Sequence, residues 1–179
     1  MKNLLTFCAS LLILSLVLSS CGDDEKSVPN RLVIDGESFK LTKGYIAGYG
    51  PEQDDNGETG SIYEILLTTE SVDFSSGAGL EGEGQIIDLI LFSGSTVELA
   101  EGTYQYDDDF FESTLIDGVA FDANFDTMVG DTYSLAGGSI TVSKSGNTWT
   151  FNWELVMEDG LGDEVEVTGS FSGMLTEMD

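Results

Sequence analysis

Between Thr148 and Glu158 the chain alternates with a period of two. Trp149, Phe151, Trp153, Leu155 and Met157 interleave with Thr148, Thr150, Asn152, Glu154, Val156 and Glu158. Successive side chains of a β-strand point to opposite faces, so this spacing places five large apolar groups on one face and an almost wholly polar row on the other. No helix could do so, because its period of 3.6 would scatter the same residues around the axis. The segment therefore reads as a half-buried strand.

Its neighbours extend the pattern. Ser139-Ile140-Thr141-Val142-Ser143 precedes it across Lys144-Ser145-Gly146-Asn147, a hairpin turn by its glycine and asparagine. After it, Glu158-Asp159-Gly160-Leu161-Gly162-Asp163 leads into a strand whose inward positions run Val167, Gly169, Phe171, Gly173 and Leu175. Glycine weakens a strand unless a close neighbour needs the room, and Trp149 and Trp153 across the pair are suited to cover Gly169 and Gly173.

Earlier segments repeat the theme. Arg31 to Ile34 turns at Asp35-Gly36 into Ser38 to Tyr49, and Ile62 to Thr69, Ile86 to Phe92, Gly102 to Tyr106, Gly118 to Phe125 and Asp131 to Leu135 follow. Ile86-Ile87-Asp88-Leu89-Ile90-Leu91-Phe92 is apolar on both faces, as expected within a two-layer structure. The expectation is an all-β fold, an antiparallel meander of nine or ten strands forming a sandwich or a calycin-like barrel.

The N-terminus has a different character. Met1-Lys2-Asn3 carries one positive charge, and Leu4 to Leu18 is apolar and uncharged. That is the layout of a secretory signal, because a membrane span needs about 20 apolar residues and this run ends earlier. Its end, Leu18-Ser19-Ser20-Cys21-Gly22, resembles the lipobox of bacterial lipoproteins. The resemblance implies cleavage between Ser20 and Cys21, a diacylglycerol thioether on Cys21 and a further acyl chain on its amino group, which together give stable anchoring to a lipid bilayer.

Asp23, Asp24 and Glu25 follow, and this acidic cluster resembles the surface-export signal of Bacteroidetes-type lipoproteins. It implies an outer-membrane location, lipid-anchored and exposed at the cell surface. Across the rest of the chain, the Ile-Asp-Gly start, Gly44-Tyr45, the 138–151 stretch and Val167 to Gly173 resemble a group of Bacteroidetes surface lipoproteins, a resemblance that brings no activity with it. The implied organisation is a signal peptide over 1–20, a lipidated tether over 21–30 ending in Val28-Pro29-Asn30, and one β domain over 31–179.

Cleavage would remove Lys2 and no acid, leaving five basic residues against 33 acidic ones and making the net charge one more negative than the −27 of the whole chain. Such a field repels nucleic acid and anionic headgroups, so nucleic acid is excluded as a partner. The chain has no histidine, Cys8 leaves with the signal and Cys21 carries lipid. Nucleophile–histidine triads, thiolate chemistry and His or Cys metal sites are therefore unavailable.

Carboxylate chemistry remains. A glycosidase needs two carboxyls at a set spacing, one with a raised pKa. Asp88, inside the apolar 86–92 run, comes nearest to a buried proton donor, although its place also fits the polar face of a strand. Calcium takes six to eight oxygen ligands at flexible spacing, which makes Asp122, Asn124, Asp126 and Asp131 a candidate site. Asp54-Asp55-Asn56-Gly57-Glu58 and Asp107-Asp108-Asp109 are further clusters, and all three also read as solvated turns.

Exposed aromatics are candidates for ligand contact. Phe110 and Phe111 look like a loop tip, Tyr104 and Tyr106 lie just before them, and Tyr45, Tyr49, Tyr63 and Tyr133 complete the set. Trp149 and Trp153 are assigned to the core by their regular alternation. The function this favours is a non-enzymatic binding or interaction module for a glycan or a protein ligand. A calcium-binding accessory protein of the envelope is the alternative, with a carboxylate glycosidase behind it.

Overall fold

The computed structural model describes residues 30–75, 77–107, 111 and 113–178. The architecture is all-β: β1 (Arg31–Ile34), β2 (Glu37–Gln53), β3 (Thr59–Thr69), β4 (Val72–Ser75), β5 (Gly79–Ser93), β6 (Gly102–Tyr106), β7 (Thr114–Asn124), β8 (Val129–Ser145), β9 (Thr148–Glu158), β10 (Glu164–Gly173) and β11 (Thr176–Glu177). The strands pair in the order β1-β10-β9-β8-β6-β7-β5-β3-β2, and β1 also pairs with β2, so nine strands form a closed ring.

Most neighbours are antiparallel, as in a meander. Two pairings are parallel. β6 lies between β7 and β8 and runs parallel to β7, and β11 runs parallel to β2 at Tyr45 and Ile46. β11 lies beyond the end of β10, where the Met178 N–H also bonds the Ile46 carbonyl at 2.8 Å, so the last residues strap β2 past the point where β1 leaves it.

Two of the expected strands are one. The segments 131–135 and 139–143 belong to the single strand β8, which keeps pairing with β9 through a bulge at Leu135/Gly137. Gly138 there has φ 104°, and a Cβ would meet the Glu154 carbonyl at 2.2 Å. The glycines that suggested a break in fact allow a continuous strand to bend. β4 and β11, short and weakly patterned, were not legible in the sequence.

One cluster fills the ring. Leu32, Leu41, Ile65, Leu89, Leu115, Ile140, Phe151 and Val167 supply it from eight different strands, and the inward row of β9 runs unbroken from Trp149 to Met157. A second, smaller cluster lies on the opposite face, where Tyr45, Leu66, Val72, Ile86 and Phe125 gather beneath Phe74 and Leu80 of the β4–β5 hairpin. This explains the apolar run at 86–92. Ile87, Leu89 and Leu91 face the ring interior, and Ile86 faces the second cluster.

Candidate functional site

At the end of the ring that carries the β2–β3, β5–β6 and β8–β9 connections, the interior opens into a cavity of about 560 Å³. Inward positions of β2 and β3 form one wall, where Ile46, Gly48, Ser61 and Tyr63 all face it. The β5–β6 loop contributes Thr96, Val97, Glu98 and Leu99, the β8–β9 hairpin Lys144 and Trp149, and the C-terminal segment Leu175, Glu177 and Met178. The volume lies within the roughly 300–1,000 Å³ of small-ligand sites.

Two glycines shape this wall. Gly44 and Gly48 occupy inward positions of β2 two residues either side of Ile46. Gly44 lets Leu175 and Phe171 pack against the backbone, where a Cβ would strike Leu175 at 2.6 Å, and Gly48 lines the cavity beside the Tyr63 ring, which a Cβ would meet at 3.3 Å. A larger residue at 48 would project into the opening.

Lys144 organises the rim. Its Nζ sits 4.5 Å from the centre of the Trp149 ring and 2.5 Å from the Glu98 carboxylate, and its backbone N–H donates to Glu101 at 3.1 Å. The loop is held from below as well. Ser93 Oγ accepts the Ala100 N–H at 3.0 Å, the Tyr104 hydroxyl donates to the Ala100 carbonyl at 2.8 Å, and Leu99 is buried. The mouth is thus a built concavity with a fixed rim.

Within the wall, Ser61 is only 2% exposed and its hydroxyl oxygen is shielded from the cavity, in loose contact with the Tyr63 hydroxyl. Burial pushes the Tyr63 phenol above its usual pKa, against a smaller lowering by the hydrogen bond from Ser61, and Glu98 adds to the rise. Both groups stay uncharged at neutral pH and can donate or accept hydrogen bonds.

Among the aromatics nominated from sequence for ligand contact, Tyr63 lines this mouth, and Trp149, assigned to the core, belongs to the core and borders the mouth as well. Tyr104 does not reach it. It is buried and hydrogen-bonded to Ala100, so its place as a ligand contact is corrected to a core role. Tyr106 is half-buried against the core, and half-buried Phe111 has its N–H bonded to Thr114 Oγ1 at 3.2 Å. Tyr45 packs 5.6 Å from Phe74 in the second cluster. Phe110, Ser20, Cys21, Asp23, Asp24 and Glu25 lie outside the described residues, as do Asp108 and Asp109.

The candidate calcium ligands do not converge. Asp122 and Asp131 face each other across β7 and β8. Asp122 accepts from Gln85 at 2.8 Å, Asn124 bonds Glu83 and Thr127, and Asp126 accepts the Gly82 N–H at 3.0 Å. Asp122 and Asp131 border a hollow of about 250 Å³ with Asp35, Glu37 and Tyr133. Among the described residues no three carboxylates stand close enough to hold a metal ion. The Asp54 cluster is a turn, with Asp54 Oδ1 accepting the Asn56 and Glu58 N–H groups at 2.9 and 2.8 Å.

Asp88 lies on the outer face of β5, opposite Leu66 and Val119, with Glu64 and Asp117 flanking Ile90 on the same face. Burial above all, then the nearby charges of Glu64 and Asp117 and a hydrogen bond shared with Glu64, push its carboxyl up to about 7 against a hydrogen bond from the Leu89 backbone. Its Oδ1 is buried without a hydrogen bond. The Tyr49 hydroxyl donates to Glu64, and that bond is the chief reason its pKa rises to about 12. This group lines none of the cavities described above.

Ser61, Glu98, Leu99 and Lys144 carried no signal in the sequence as site residues. They come from a strand, a loop and a hairpin far apart in the chain, and only ring closure assembles them. Comparison with protein-family models, with curated proteins and with solved structures finds no match.

Proposed function

We propose that this protein is a lipoprotein of the outer membrane, anchored through Cys21, whose β domain is a non-enzymatic binding module that takes a glycan or protein ligand in the mouth of the ring. The anchor rests on the signal-like leader and the Leu18-to-Gly22 motif. The binding role rests on one observation above all: the mouth is a preformed cavity of about 560 Å³ lined by polar and apolar side chains together, among them Tyr63, Glu98, Lys144 and Trp149. Such concave sites with a few placed polar groups are where small ligands bind.

Two measurements test it. Labelled palmitate should enter the protein in cells and be absent from Cys21→Ala. A glycan array probed with the purified protein should give binders that vanish in Gly48→Leu, a variant whose mouth is filled. A silent array, with an envelope protein crosslinked from a photoreactive residue at Val97, would identify a protein ligand instead. Binding that survives the filled mouth ends the reading.

A glycosidase has one observation in its favour, the raised pKa of Asp88 beside Glu64. The two carboxyls are in hydrogen-bond contact, closer than the roughly 5 Å of a retaining pair, which leaves no place for a sugar between them. The binding reading is favoured for that reason.

A further inference from the structure

A second concavity lies on the outer face of the sheet, at the far end of β8 from the mouth. Between the β4–β5 hairpin and the β7–β8 connection, Leu80, Phe121, Phe125 and Met128 wall a cavity of about 420 Å³ that no charged side chain lines. Its two sides are tied together. The Phe125 N–H donates to the Gly82 carbonyl at 2.8 Å, the Gly82 N–H donates to Asp126 at 3.0 Å, and the Phe121 and Phe125 rings meet edge to face with centroids 6.1 Å apart.

The tip beside this cavity is apolar and strained. Met128 is 83% exposed and Val129 beside it is 69% exposed, on a chain that is otherwise strongly acidic. Met128 also holds φ 55°, a left-handed conformation that short polar residues tolerate and long apolar ones do not. Such strain gathers where a surface is used for binding, and methionine is a side chain that adapts to what it covers.

Charge selects the occupant. The nearest carboxylates stand outside the cavity: Asp126 follows Phe125, and Glu83 accepts from the Asn124 side chain at 3.1 Å, both of them exposed. The charge of −27 draws cations toward the chain and turns anions away. A small amine wholly inside the apolar cavity would lose its water without gaining a carboxylate. A longer ligand, with an apolar group inside and positive charges beyond the rim, meets both conditions.

We propose that this cavity binds a cationic amphipathic peptide, seating one aromatic side chain against Phe121, Phe125 and Met128 while basic residues on either side meet Asp126 and Glu83. The site shares no lining residue with the mouth and does not rest on the reading given for it.

The test uses the full chain in phosphatidylcholine nanodiscs, with empty nanodiscs as the blank, and fluorescein-labelled pentapeptides read by anisotropy. One peptide carries four lysines around a central phenylalanine. In the others the phenylalanine becomes alanine, or the lysines become glutamates or serines. The lysine–phenylalanine peptide should bind at least tenfold more tightly than each of the others, since ring burial and charge both contribute. Added salt should weaken it. Thr132→Trp, which fills the cavity from an exposed strand position, should abolish binding. Met128→Asn should weaken it at least threefold and also raise the melting temperature, because asparagine accepts the left-handed backbone.

Equal binding of the phenylalanine and alanine peptides overturns the inference, because general attraction to an acidic chain then accounts for it. Equal binding of the serine peptide overturns the part given to charge, and unchanged affinity in Met128→Asn overturns the role of Met128. Binding that survives in folded Thr132→Trp overturns the site. If that binding is then lost in Gly48→Leu, the peptide sits in the mouth, so the mouth reading stands while this one falls. No binding of any peptide overturns the inference outright.

Discussion

Trp153 lies across Gly169. The two are cross-strand partners on β9 and β10, and a Cβ built at 169 would come within 2.4 Å of the indole ring and 2.1 Å of the Arg31 carbonyl oxygen. One neighbour is backbone, so rotating a side chain cannot relieve both contacts. Gly169→Ala should therefore destabilise the protein by about 3 kcal/mol, the upper end of overpacking costs, read as a fall in the denaturant midpoint at constant slope. A change below about 0.5 kcal/mol would show that β1 and β10 part easily.

Asp88 makes stability fall as pH rises. Its folded-state carboxyl is pushed up to about 7 from an ordinary value of 3.8, so between those limits the folded protein holds a proton that the unfolded chain has released. Stability then declines from about pH 4 to about pH 7 and levels off above. Asp88→Asn should flatten that decline and gain about 1–3 kcal/mol at pH 8, where the native carboxyl is charged and buried. Chemical denaturation of both proteins at pH 5 and pH 8 gives the comparison, and parallel curves would refute it.

Asp54 and Asp159 close their hairpins in the same way. Each Oδ1 accepts two backbone N–H groups, two and four residues ahead, and each turn has a glycine with φ near 85° at its fourth position, Gly57 and Gly162. Asp54→Ala should cost about 1–2 kcal/mol by leaving those donors without their acceptor. For Asp159, hydrogen bonds from Asp163 and Leu161 lower the pKa, so an NMR titration should find it ionising below the usual aspartate range. Its stabilising effect is present above the unfolded pKa and disappears as pH falls through the lower folded one.

Calcium should leave the melting temperature where it is. The candidate ligands Asp122, Asn124 and Asp126 spend oxygens on Gln85, Thr127 and Gly82, and Asp131 faces Asp122 alone among them. A calorimetric scan with millimolar calcium and then with EDTA should superimpose. A rise with calcium that EDTA reverses would identify a site formed by movement of these groups.

The sequence by itself determined most of the strands and the inward faces of β9 and β10. Alternation from Trp149 to Met157 and from Val165 to Phe171 depends only on the two-residue period of an extended backbone, so it could be read without knowing any partner. The covering of Gly169 by an aromatic was legible for the same reason, since hairpin register follows from the turn. For Gly173 the cover is Phe171 of its own strand, whose ring lies 2.9 Å from a built Cβ, a packing choice that register does not reveal.

Tertiary structure decided everything that depends on which strands meet across long stretches of chain. Closure of the ring by β1 between β10 and β2, the merging of two segments into β8, and the parallel seat of β6 are long-range pairings. The mouth belongs to this class as well: Ser61 and Lys144 are ordinary residues until closure sets a β3 wall opposite the β8–β9 hairpin. Tyr104 shows the converse, for a local pattern that suggested exposure yielded to a loop folding over it, with Ala100 accepting its hydroxyl. Local periodicity assigns a side chain to a face, and only the closed sheet decides whether that face meets core, cavity or water.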